Sequence, residues 1–131
     1  MTGGRRLRSV GRGLGLVLLL CLGACEPSGP GPLTAIVTTP GPTGALVVEV
    51  VGTGITGFDG VGDVRTLEAP LAAGDSTRRV VVVSPSGAGL RFSVMVEDVS
   101  APFPRAVVIS AVDASNQPIS SLTGYSIGIS R

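Results

Sequence analysis

Short runs of β-branched residues, separated by clusters of Gly, Pro, Ser, Asn and Asp, fill the chain from residue 33 onward, and no stretch keeps a helical period. The pattern predicts strands over 33–39, 45–51, 61–68, 76–84, 90–97, 105–112 and 122–130. Alternation is cleanest in 90–97, where Leu90, Phe92, Val94 and Val96 share one face and Arg91, Ser93, Met95 and Glu97 the other. Thr123, Tyr125, Ile127 and Ile129 alternate in the same way with Gly124, Ser126 and Gly128. Both segments are expected to be half-buried strands. Residues 80–83 (VVVV) and 107–109 (VVI) are instead continuous apolar runs, the pattern of strands covered on both faces or lying centrally in a sandwich.

Between the runs, Pro40, Gly41, Pro42 and Gly44, then Ala73, Gly74 and Asp75, then Pro85, Gly87 and Gly89, and finally Asn116 and Pro118 supply turn chemistry. The spacing predicts an all-β fold: an immunoglobulin-sized antiparallel β-sandwich of about seven strands, with a small barrel as the alternative. The segment 107–119 (VVISAVDASNQPI) and the strand at 122–129, about the last quarter of the domain, resemble cohesin-like and related sandwich modules of bacterial surface proteins. That resemblance implies a sandwich and says nothing of function.

Residues 1–32 follow another logic. Arg5, Arg6, Arg8 and Arg12 precede the uncharged apolar run 13–22 (GLGLVLLLCL). The run is too short to cross a hydrocarbon core, which needs about 20 helical residues, and has the form of a signal peptide. Leu22-Gly23-Ala24-Cys25 at its end resembles the lipobox of bacterial lipoproteins, with Leu three positions before Cys and small residues between. The resemblance covers residues 1–25 and implies cleavage before Cys25, acylation of its thiol, and membrane lipid as a partner. Cys21, behind Leu18, Leu19 and Leu20, would leave with the signal, and Arg8 stands where twin-arginine export expects an apolar pair. Glu26 in place of Asp implies, by resemblance to enterobacterial sorting, the outer membrane in a diderm host and otherwise the outer face of the plasma membrane.

The expected organisation is therefore a signal peptide at 1–24, a lipidated Cys with a Pro/Gly tether at 25–32, and one sandwich domain at 33–131. The tether EPSGPGP offers no apolar residue to a core and is expected to stay out of any ladder, spanning roughly 20 Å at about 3.1 Å per residue. A domain of this size buries about 60 to 70% of its unfolded surface. Four of the ten basic residues, all arginine, lie in the signal, so six face nine acids thereafter. That balance excludes nucleic acid as a partner, since its affinity comes from basic contacts to phosphate. With Cys21 removed and Cys25 acylated, no disulfide is expected.

The chain has no His and no Lys, so Ser-His-Asp, Cys-His and Ser-Lys nucleophile arrangements cannot be built, and the common zinc and copper ligand sets are missing. Glu97 and Asp98, adjacent on a strand, would point to opposite faces and make a poor carboxylate pair. Asp59 and Asp63 among Gly57, Gly60 and Gly62, and Asp113 with Ser115 and Asn116, are oxygen-rich candidates for calcium, although Asx turns explain both. Gly52, Gly54, Gly57, Gly60 and Gly62 lack the helix and Lys of a phosphate loop and suit a bent or bulged strand crossing. Carbohydrate platforms need exposed aromatics, whereas this chain has no Trp and a single Tyr, Tyr125, that alternation turns inward. Phe58 and Phe103 are the aromatics left for loops and the candidate partner contacts. The expectation is a lipid-anchored, non-enzymatic, cofactor-free envelope module that binds or supports another envelope protein. The alternative is a calcium- or carbohydrate-binding module using Asp59, Asp63, Asp113 and Asn116.

Overall fold

Eight strands form among the residues that the computed structural model describes, which are 25–69, 75–87 and 89–131. Residues 1–24, where a signal peptide is expected, including Leu22, Gly23 and Ala24, lie outside the described residues, as do Ala73 and Gly74. In chain order the strands are β1 (Gly31–Thr38), β2 (Ala45–Val51), β3 (Ile55–Gly60), β4 (Arg65–Glu68), β5 (Thr77–Val83), β6 (Arg91–Val96), β7 (Arg105–Val112) and β8 (Ser126–Ser130). They make two four-stranded sheets, β3-β6-β1-β8 and β4-β5-β2-β7, in which every pairing is antiparallel. The fold is the all-β sandwich that alternation predicts.

Pairing is nested: β4 with β5, β3 with β6, β2 with β7 and β1 with β8, closed by β1 against β6 and β2 against β5. Apart from β4 and β5, successive strands lie in opposite sheets, so the connections gather at two poles. One pole carries the chain before β1, residues 52–54, residues 97–104 and Arg131. The other carries 39–44, 61–64, 84–87, 89–90 and 113–125. Between them, Leu33, Ala35, Leu46, Val48, Val50, Val80, Val82, Phe92, Val94 and Val96 fill a core in which none is more than 5% exposed. Each valine, leucine or phenylalanine among them contributes about 1.5–3 kcal/mol when fully buried.

Several expectations needed correction. Residues 55–60 form a strand where a glycine-rich loop was expected, because glycine carries no side chain and so hides the alternation of β3. The predicted bulge is there: Ile55 stands opposite Val96 and Gly57 opposite Met95, with Thr56 extra. A Cβ on Gly60 would collide with the carbonyl of Val64, where the chain turns back through a 3.3 Å bond from Val64 N to Val61 O. That turn shortens the strand predicted at 61–68 to β4.

The segment expected as a tether is free of the fold over fewer residues than its composition suggests. Gly31 and Pro32 pair with Val96 and Met95, and β8 joins β1 only from Thr34 onward, so the missing N–H of Pro32 faces no second ladder. Among the described residues, only 25–28 precede the first bond to the fold, at Gly29.

The run 107–109 is not covered on both faces. β7 is an edge strand, and its bulge at Ile109 leaves Val107 54% and Ile109 39% exposed. Similarly, 122–130 yields only β8, because Tyr125 N bonds to Leu122 O in a turn before it.

Candidate functional site

The two outer faces of the sandwich differ in chemistry. On the first sheet Asp59, Ser93, Thr34 and Ser130 stand side by side across all four strands, with Thr38 beside Ser126 in a further row. Ile36, between Arg91 and Gly128, and Met95 interrupt an otherwise small, polar surface. This is the polar-out alternation of a solvated antiparallel sheet.

On the second sheet the corresponding rows are apolar. Leu67, Val81, Val47 and Ser110 form one row, and Arg65, Val83, Ala45 and Val112 the next. Glu49 lies between Val107 and Arg79, and Val51 lies between Thr77 and Arg105. Leu67 is 64% exposed, Val107 54% and Val51 40%. Arg79 Nε reaches Glu49 Oε2 at 3.3 Å, so these two charges engage each other, and Arg65 and Arg105, each at the start of an edge strand, stand beside the valines and leucine. A groove of about 380 Å³ between Glu49, Val51, Arg105, Ala106 and Val107 gives the face relief. Contiguous exposed apolar surface of this kind marks interaction sites in soluble domains.

These outward residues escaped the sequence analysis, although a signal existed. In 45–51 (ALVVEVV) and 80–83 (VVVV) both faces of a strand are apolar, and only one can point into a two-layer core.

The sequence-predicted residues fall elsewhere. Cys25 is exposed ahead of β1. Phe58 is not in a loop: it is an inward residue of β3, half-buried, with its ring centroid 6.3 Å from that of Phe92 at a 55° tilt. It closes the edge of the core. Phe103 is exposed in the loop before β7, and the Arg131 guanidinium sits 5.3 Å from its ring centroid. Tyr125 turns inward as expected, its hydroxyl 2.9 Å from Oγ of the fully buried Thr43.

Asp59 lies on the outer face of β3 and Asp63 in the following turn, where it lines a cleft of about 340 Å³ with Val61, Leu90 and Arg91. Asp113 caps its own turn, its Oδ1 accepting bonds from Ser115 N at 2.8 Å and Gln117 N at 2.9 Å. Asn116 takes the left-handed φ of 60° in that turn. The two acidic clusters therefore flank opposite sides of the sandwich, at β3–β4 and β7–β8. Among the described residues no three His, Cys, Asp or Glu side chains are grouped to hold a metal ion.

Glu97 and Asp98 also part company. Glu97 packs over Gly54, while Asp98 Oδ1 accepts from Gly29 N, Ser100 N and Ser100 Oγ at 3.0, 2.9 and 2.7 Å. The Ser100 hydroxyl, then the Ser100 and Gly29 amides, hold the Asp98 carboxyl below its ordinary value of 3.8. Neither a family model, nor a curated protein, nor a solved structure matches the chain.

Proposed function

We propose that this chain is a lipid-anchored, non-enzymatic module of the bacterial envelope that docks another envelope protein on the outer face of its second sheet. The observation that carries the docking role is the contrast between the two outer faces: Ser and Thr on one, Leu67, Val81, Val47, Val51 and Val107 on the other. A face that only met water would gain nothing from those side chains, whereas a flat protein surface of matching apolar character buries them favourably. Support for the anchor comes from the lipobox-like Leu22-Gly23-Ala24-Cys25 and from Cys25 standing free ahead of the fold.

Two measurements test the proposal. Metabolic labelling with an alkynyl fatty acid should mark the wild type and not Cys25→Ser, and equal labelling would remove the anchor. For the docking face, a photo-crosslinking residue is placed at Leu67 or Val107, and at Thr34 or Ser126 as controls, in native envelopes. Discrete adducts are expected from the first pair only. The adducted protein, once purified, should bind the wild-type chain and lose most of that affinity with Leu67→Asp or Val107→Asp. Adducts spread evenly over both faces, or affinity unchanged by the Asp variants, would overturn the docking role.

A further inference from the structure

The pole that carries the tether also carries the most exposed aromatic ring of the chain, and it cannot be far from the membrane. Resting on the lipid anchor proposed above, we infer that Phe103 and its stacked Arg131 seat in the headgroup region of the same bilayer that holds the acyl chains of Cys25.

The tether sets the distance. Residues 26–28 are all that separate Cys25 from Gly29, which is fixed by Asp98 Oδ1 accepting from its N–H and by Val99 N donating to its carbonyl. The chain from Cys25 to Gly29, fully extended, spans at most about 14 Å. The loop 97–104 is therefore held against the lipid surface at high effective concentration, so that even a weak contact is populated.

The ring is also held outward. Phe103 stands between Pro102 and Pro104, and Pro104 is buried beneath it, close against Gly52. Proline on its carboxyl side favours an extended Phe103 backbone, and the ring stands exposed in that loop. From the other side, Arg131 donates from Nε to Val99 O at 2.9 Å, which places its guanidinium over one ring face and leaves Phe103 42% exposed. An aromatic ring paired with a guanidinium matches the apolar-to-polar gradient of the interface, where rings sit at headgroup depth and cations reach phosphate.

Attraction to anionic lipid is not the basis of this seat. Besides Arg131, Arg105 and the Glu68-paired Arg78, the same pole bears Glu26, Asp75, Glu97 and Asp98. Acids there match or outnumber arginines, so the contact belongs to zwitterionic membranes as much as to anionic ones.

The test uses the absence of tryptophan from the chain, which makes Phe103→Trp a sole indole and Ser115→Trp a control at the opposite pole. Each full-length variant is processed in a bacterial host, checked for an unchanged thermal midpoint, and reconstituted into phosphatidylcholine vesicles with brominated acyl chains. The indole at 103 should lose emission and shift to the blue, the indole at 115 should do neither, and added phosphatidylglycerol should change nothing. An unquenched indole at 103 in acylated, vesicle-bound protein overturns the inference, as does equal quenching at both positions or quenching that needs phosphatidylglycerol. If Cys25 carries no fatty acid, the anchor itself fails, and the pole is then read with the Cys25 thiol coupled to a maleimide lipid in the same vesicles. An unquenched indole there overturns the inference.

Discussion

The carboxylate of Asp98 accepts a 3.0 Å hydrogen bond from the backbone N–H of Gly29, so the loop after β6 clasps the chain where it leaves the tether and enters β1. Val99 N, donating to Gly29 O at 2.9 Å, completes the clasp, and Arg131 reaches the same loop through Val99 O. Three segments far apart in sequence thus meet around one carboxylate at the tether pole. The seating proposed for Phe103 depends on this, because a frayed start to β1 would lengthen the tether.

The clasp should be pH-sensitive in a definite sense. The folded-state value of Asp98 lies below its ordinary 3.8, so its contribution is fully present above that value and is lost as pH falls through the lowered one. Asp98→Asn should therefore flatten the acid limb of the stability profile and leave the neutral limb parallel to wild type. Urea denaturation at about pH 6 and about pH 3 measures this difference. An equal fall in both proteins would mean that the carboxylate is not held by the clasp.

Phe92 and Ser93 separate the two faces of β6. Phe92 is fully buried and Ser93 lies on the outer face beside Asp59 and Thr34. Truncating Phe92 to Ala should cost about 3–5 kcal/mol, through lost burial and the cavity left behind, while Ser93→Ala stays within about 0.5 kcal/mol. Comparable effects in urea denaturation would contradict the assigned phase of the strand.

Thr43 and Tyr125 join the connection after β1 to the segment that leads into β8. The Thr43 hydroxyl donates to Gly41 O at 3.2 Å, which leaves the Tyr125 hydroxyl to donate to Thr43 Oγ at 2.9 Å. A double-mutant cycle of Thr43→Val and Tyr125→Phe should return a coupling of about 0.5–1.5 kcal/mol. Additive losses would show that the bond contributes nothing.

Gly57 and Gly60, both in β3, should respond to alanine in opposite ways. A Cβ at Gly60 meets the Val64 carbonyl, whereas one at Gly57 meets nothing within 4 Å. Gly60→Ala is expected to destabilise by about 1–3 kcal/mol, as overpacking does, and Gly57→Ala to be neutral or stabilising by about 0.4–1 kcal/mol. Thermal unfolding of the two variants decides it, and a harmless Gly60→Ala would refute the tight β3–β4 turn.

The residues alone determined what depends on neighbours along the chain. The face assignment in 90–97, the bounds of β2, the inward Tyr125 and the capped turn at Asp113 follow from period-two alternation and from side chains that bond their own backbone, both visible in a few consecutive letters. Tertiary structure decided what depends on distant partners. Whether the valines of 80–83 and 107–109 meet a second layer or solvent turns on which sheet their strand joins and whether it lies at an edge, and no local pattern encodes that. β3 stayed hidden because its glycines have no side chains to alternate, and its pairing with β6 supplies the order that its own residues do not. The tether ended earlier than its Pro and Gly suggested, because Asp98, 69 positions away, captures Gly29. A strand's phase is a local property, whereas the exposure of its second face belongs to whatever the folded chain brings beside it.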